Sequence, residues 1–407
     1  MRKIDMIPDN KVFCMMPWVH MHMWPNGDVF PCCMSDTNWT VGNTNQQRLN
    51  EIWNSERMRE LRKNMLEGKE TPACSRCYDV ERHGTFTLRN HANEAYAHHS
   101  NLVNTTQMDG TVEKVNLVYL DVRFSNICNL RCRTCGPQLS SSWYDDSLMM
   151  DASYKSPRIL NINQSGDFWE QLLPHLQNTE EVYFAGGESL MTDEHYRILD
   201  YWISIGKTDV QLNYTTNFTK LDYKQRNLFE LWRQFPNLRV AASLDGMGDR
   251  GEYIRKNMIW KDVVNNRKRM MQELPNAYFE ITPTVSMWNA KHLSDFHKDW
   301  VQHDYVDIDN IRINQLTSPK YFSTRILPVS IKQRITDKIE KHCEWLTENH
   351  ANSNTVSAFK GIVSFMNESD DSDLLPLWAH QTAKLDKIRK ESWRDVFPEL
   401  RGIDHAI

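Results

Sequence analysis

An α/β fold built on parallel strands is the class that residues 117–320 predict, and three observations predict it. Six strand-like runs, LVYLDVRF, EVYFAG, VQLNYTTN, LRVAASLD, YFEITPTVS and IDNIRIN, alternate with segments of helical length. Several of these runs carry a polar face, where a buried parallel strand ordinarily reads as unbroken Val, Ile and Leu. At 407 residues with 40% hydrophobic content, the chain exceeds one average domain and can bury a large core. Six such units close into a partial (β/α)6 barrel or lie open as a doubly wound sheet.

The regions before and after follow from periodicity and breakers. Residues 1–84 read as a small cysteine-rich module. Its FCMMPWVHMHMW, PNGD and VFPCC predict a hairpin over 12–33, because Asn26-Gly27 suits a tight turn between alternating bulky residues. LNEIWNSERMRELRKNML predicts a helix with Leu49, Ile52, Trp53, Leu61 and Met65 on one stripe. Residues 85–116 are polar, carry His91, His98 and His99, and read as a linker with a single helix. Residues 321–407 are helical in pattern.

Composition excludes several function classes. Lys plus Arg is 48 against 53 for Asp plus Glu, a net charge of -5, so no nucleic-acid partner is expected. No apolar run is long enough to span a bilayer and the N-terminus has no signal-like core, so no membrane association and a cytoplasmic location are expected. Of nine cysteines, five fall within residues 14–77, three within 128–135, and Cys343 stands alone in a helical run. In a long chain of a reducing compartment, such clustering points to metal or catalysis rather than disulfides.

The polar faces define candidate substrate residues. Tyr119, Asp121 and Arg123 share a face in the first strand, Gln211, Asn213 and Thr215 in the third, Glu280, Thr282 and Thr284 in the fifth, and Arg312 and Asn314 in the sixth. Read as a lumen for a polar substrate, they make Asp121, Arg123, Glu280 and Arg312 the candidates for binding or proton transfer. Read as solvated edges they are ordinary, with Asp121 and Arg123 a structural ion pair.

At the end of the first strand, SNICNLRCRTCGP sets Cys128, Cys132 and Cys135 at C-x3-C-x2-C spacing. Three thiolates cannot complete a four-iron cubane, so one iron stays open for a cofactor or substrate. Sites in parallel α/β folds gather at the C-terminal ends of strands, which is where this loop falls. Structural zinc needs a fourth ligand, and GPQLSSSWYDD offers neither His nor Cys.

The CNLRCRTC run resembles the signature of the radical S-adenosylmethionine (SAM) superfamily. That resemblance implies a partial barrel, a [4Fe–4S] cluster on Cys128, Cys132 and Cys135, and SAM chelated at the open iron. It also implies reductive cleavage of SAM to a 5′-deoxyadenosyl radical that abstracts hydrogen. Supporting positions recur at strand ends: Gly186, Gly187 and Glu188 are similar to the motif that meets the SAM amino group, Asn217 to a polar SAM contact, and Ser243 to the ribose contact, with Asp245 at the same turn. Arg255 corresponds to the arginine that pairs with the SAM carboxylate, and Val285 to the backbone beside adenine. Thr134 departs from the pattern, standing where the family often has an aromatic residue against adenine.

Cys14, Gly27, Cys32, Cys33 and the later CSRC pair resemble a SPASM or twitch module, here placed before the barrel instead of after it. The resemblance implies an auxiliary iron–sulfur cluster on Cys14, Cys32, Cys74 and Cys77, with Cys33 able to replace Cys32. A four-cysteine zinc ribbon is the competing reading. His20 and His22 read as ordinary strand residues. The expectation is a radical SAM oxidoreductase or maturase acting on a peptide or protein side chain, by oxidation or crosslinking, and fed electrons by a flavodoxin or ferredoxin. The alternatives are the same chemistry on a sugar or nucleotide, or a non-catalytic iron–sulfur or zinc protein.

Overall fold

The computed structural model describes residues 10–405 except His83, Thr85 and Ser165. Two compact units divide the chain, one of residues 1–126, 159–213 and 234–237, the other of residues 127–158, 214–233 and 238–407.

In the first unit the strand order is β6-β5-β4-β1-β2-β3, with β1 His20–Met23, β2 Asp28–Phe30, β3 Gly42–Asn43, β4 Tyr119–Val122, β5 Glu181–Phe184 and the first half of β6 Gln211–Thr216. The Asn26-Gly27 turn forms as expected. Gly27 has φ +90°, and a Cβ there would lie 2.5 Å from the Asn45 amide, so only glycine fits. Beyond the hairpin, β1 also pairs in parallel with β4, His20 opposite Tyr119 and His22 opposite Asp121. The cysteine module therefore shares a sheet with the first strands of the α/β region.

Some elements differ from expectation. Residues Met16–Val19, read as the start of the hairpin, form a short buried helix, because Pro17 cannot donate to a ladder but is at home in a first helical turn. The long helix breaks into Leu49–Trp53 and Glu56–Leu66, where Ser55 accepts the Met58 amide and restarts the second piece. The stretch read as a linker, residues 85–116, is folded over its described residues rather than a solvated connector. Their Leu88–Ala95 helix buries Ala92, and Tyr96 and Val103 are buried too. A polar composition hid this packing.

The second unit holds the rest of β6, the small antiparallel ribbon β7 Asp222–Tyr223 and β8 Arg226–Asn227, and the strands β9 Leu238–Ala242, β10 Tyr278–Ile281, β11 Thr284–Val285 and β12 Asn314–Gln315. β9 pairs in parallel with β10, and β11 with β12. The parallel α/β class expected from the sequence is thus observed. The sixth expected strand shortens to a bridge at Ile311 and the two residues of β12. Helices Val329–Glu348, Ser353–Asn367 and Leu375–Arg389 make the expected helical C-terminal region, and Trp288 meets Trp378 and Phe397 at 5.6 and 5.4 Å in its aromatic core. Among the described residues no helix is long and apolar enough to cross a membrane.

Candidate functional site

Cys128, Cys132 and Cys135 lie on an irregular loop of the second unit, and that loop is held by bonds its own neighbours supply. The Trp143 indole donates to the Cys132 carbonyl at 2.8 Å, the Ser142 hydroxyl to the Cys128 carbonyl at 2.7 Å, and the Ser141 hydroxyl accepts the Cys128 amide at 3.3 Å. Main-chain amides of Arg131 and Arg133 donate to Lys256 and Ile254 carbonyls at 3.0 and 2.8 Å. Loops must satisfy buried backbone this way, and here the partners fix the spacing of the thiols.

The two arginines between the cysteines were not singled out by sequence reasoning. Arg131 pairs with Asp146 at 2.6 Å, and Asp146 in turn pairs with Arg389 at 2.9 Å. Arg133 is fully buried against Asp386 and Glu391 and lies 3.7 Å over the Tyr253 ring. The C-terminal helix thus clamps the cysteine loop. One signal was available, since two arginines in a short cysteine loop need carboxylates if they are to be buried.

Several expected cofactor residues converge on the same loop. Arg255 stands 2.8 Å from Asp245 through Nε and donates from Nη1 to the Cys132 sulfur at 3.7 Å. Asn217 donates from Nδ2 to the Cys128 sulfur at 3.8 Å and to Asn129 at 2.9 Å, while its oxygen accepts from Thr219. Asp245 also accepts the Thr284 amide at 2.8 Å, so it holds β11 as well as Arg255. Ser243 is half-buried with its amide on Thr216, and the carbonyl of the buried Val285 already accepts from Leu316. In the first unit, Gly186 has φ +119° beside Arg123, the Gly187 amide donates to Ser125, and the buried Glu188 accepts from Leu190. Burial raises the Cys132 thiol and pushes Cys135 up to about 12, so a bound cation is what would ionise them.

The second cysteine site belongs wholly to the first unit. Cys14, Cys32, Cys74 and Cys77 line one pocket together with Met16, Met34, Leu88 and Arg89. Cys33 is outside it, exposed, with Asp121 and Arg123 as its electrostatic neighbours. Arg89 donates to the Phe13 carbonyl at 2.7 Å, and Asn93 accepts the Met15 amide at 2.9 Å, fixing the chain on both sides of Cys14. Burial raises Cys14 and Cys32 far above an ordinary thiol and Cys74 to about 12. Among the described residues, the only three His, Cys, Asp or Glu ligand atoms within 4.8 Å of one another are those of His98, His99 and Glu180. The family model SPASM, an iron–sulfur cluster-binding domain, matches residues 14–78. Those residues are a SPASM domain. Its iron–sulfur character sets the zinc ribbon aside, and its matched span holds all four lining cysteines.

The expected catalytic residues are engaged with one another. Asp121 is fully buried with His22 at 2.8 Å and Arg123 at 3.8 Å. Burial raises its carboxyl, but His22, Arg123 and His20 outweigh that and hold it below the usual range. Trp24 donates to the other His22 nitrogen at 2.7 Å, so His22, from the SPASM hairpin, orients Asp121. In the second unit Glu280 pairs with Arg312 at 2.7 Å.

No curated protein matches the chain. Solved structures similar to parts of it include anSMEcpe with bound AdoMet and the Cp18Cys peptide, at 16% identity over 58% of this chain and 62% of that one, TM-score 0.40. Streptococcus suis SuiB bound to S-adenosylmethionine is similar at 13% over 82% and 70%, TM-score 0.39. TYW1 with a lysine-pyruvate adduct is similar at 12% over 57% and 71%, TM-score 0.30. The chain spans about three fifths of the length of the first of these. Likeness this distant leaves activity to be argued from the chain's own residues.

Proposed function

We propose that this protein is a radical SAM enzyme, built as a partial (β/α)6 barrel over residues 117–320 with the SPASM domain before it and the helices of 321–407 after it. The observation that carries the proposal is a clamped loop presenting three thiols, with neither Cys nor His in residues 136–158 to complete a zinc site. When bound there, a [4Fe–4S] cluster supplies an open iron for SAM and the electron that splits it.

The chain's residues then divide the work. Cys128, Cys132 and Cys135 hold the cluster. Arg131 and Arg133, tied to Asp146, Asp386 and Glu391, keep the loop from spreading. Asp245 and Arg255 form the polar wall beside it, and Gly186, Gly187, Glu188, Asn217, Ser243 and Val285 are the proposed SAM contacts. Cys14, Cys32, Cys74 and Cys77 hold the auxiliary cluster, whose four thiolates leave it closed and suited to electron transfer. Asp121, Arg123, Glu280 and Arg312 are the proposed substrate-side groups.

The SPASM domain supports a peptide or protein side chain as substrate, with oxidation or crosslinking as the outcome, for which an auxiliary cluster held by Cys14, Cys32, Cys74 and Cys77 would supply a one-electron acceptor, and with a flavodoxin or ferredoxin as donor. Anaerobic reconstitution tests this. Two cubanes predict about eight irons per chain and 5′-deoxyadenosine after dithionite reduction. A chain that binds its irons yet never cleaves SAM would be the non-catalytic iron–sulfur protein instead.

A further inference from the structure

Two residues expected to touch SAM also point at sulfur. We infer that Arg255 and Asn217 are donors to the cluster thiolates of Cys132 and Cys128, and that they set the reduction potential of that cluster. The inference rests on the proposed cluster at Cys128, Cys132 and Cys135.

Arg255 is 9% exposed, and its guanidinium is held by Asp245, which is fully buried and anchored by the Thr284 amide. This arrangement aims Nη1 at the Cys132 sulfur, 3.7 Å away. Asn217, 7% exposed, has its amide orientation fixed from both ends. Its oxygen takes the Thr219 amide at 3.0 Å and the Thr219 hydroxyl at 2.6 Å, which leaves Nδ2 to face Asn129 and the Cys128 sulfur. Neither donor can turn away without breaking a buried bond.

The physical consequence has a definite sign. Reduction adds negative charge to a cluster and its thiolates, and N–H donors and a buried cation stabilise the more negative state. Arg255 supplies both a donor and a full charge, Asn217 a donor alone. Asp245 acts through Arg255 and is a positioning residue. In the SPASM pocket the Tyr78 hydroxyl is the side-chain hydrogen-bond partner of the Cys74 sulfur.

The test is a potentiometric titration of cluster-loaded protein without SAM, followed by electron paramagnetic resonance. Arg255→Gln should lower the midpoint potential, so that at a fixed potential the reduced-to-oxidised ratio falls by about tenfold, or 59 mV for a one-electron couple. Arg255→Lys, which keeps the charge, should recover part of the shift. Asn217→Leu should move the potential the same way by less. Where Arg255→Gln loses its iron, wild-type protein carrying arginine labelled with 15N at the guanidinium, compared with equally labelled Arg255→Lys so that Arg131 and Arg133 cancel, gives the answer. A 15N coupling on the reduced cluster that Arg255→Lys lacks supports the inference. Unchanged potentials, or no such coupling, overturn it while the cluster itself stands. A wild-type loop that takes up no iron would overturn the cluster reading and the inference with it.

Discussion

The two cysteine sites of this chain solve one electrostatic problem in two ways. In the SPASM pocket four thiols sit among Met16, Met34, Leu88 and Arg89, and burial, the largest influence, raises Cys14, Cys32 and Cys74 against ionisation. On the loop at 128–135 three thiols are surrounded by buried arginines and side-chain amides that favour negative charge. Both sets of thiols need a bound cation for their charge, since burial raises Cys132 and Cys135 as well, but on the loop Arg255 and Asn217 donate to two of the sulfurs. A site that must keep a corner open, and reduce a bound cofactor, gains from such donors.

Removing single thiols should separate the two sites most sharply. Cys132→Ala is expected to abolish 5′-deoxyadenosine formation, whereas Cys77→Ala should strip the SPASM pocket of iron yet leave cleavage measurable, uncoupled from product. Equal loss in both would erase the distinction.

Next in size is the clamp. Arg133→Met leaves Asp386 without its cation and Glu391 with Lys256 alone, and breaking a buried pair costs about 3–5 kcal/mol. The urea midpoint should fall accordingly, and iron should be lost from the loop before the pocket.

Buried histidines of the second unit give a third, pH-dependent difference. Burial lowers His297 from 6.5 to about 4, and burial with His297 as neighbour lowers His342 to about 3. A histidine kept neutral when folded binds protons more readily when unfolded. Its stabilisation is present above pH 6.5 and drains as pH falls toward 4. At pH 5 the loss for His297 amounts to about 2 kcal/mol, readable as a lower urea midpoint that a His297→Phe variant should show to a smaller extent, with His342 still contributing.

The smallest effect is expected from Cys33→Ser, since Cys33 does not line the SPASM pocket: iron content should stay at the wild-type level, while Cys32→Ser lowers it.

What the sequence disclosed was local. C-x3-C-x2-C spacing, the Asn26-Gly27 turn and the strand runs of residues 117–286 are each decided within a few residues, and the turn and strand readings matched the elements that formed. Pro17 shows the limit even there, because alternation around it mimicked a strand. Pairings between distant residues stayed hidden. His22 meets Asp121 across the β1–β4 register, and Arg133 finds Asp386 at the other end of the second unit. Neither partner is implied by its own neighbours. The same reason explains Arg255 and Asn217, whose residue types indicated a polar site but whose aim depends on Asp245 and Thr219.

The central claim is an open iron on the 128–135 loop that takes SAM. Electron–nuclear double resonance on the reduced, cluster-loaded protein, mixed with SAM labelled with 15N at its amino group, tests it directly. A nitrogen coupling on the cluster signal that disappears in Cys132→Ala is the predicted result. A fully loaded loop cluster whose spectrum is unchanged by the labelled cofactor would contradict the account.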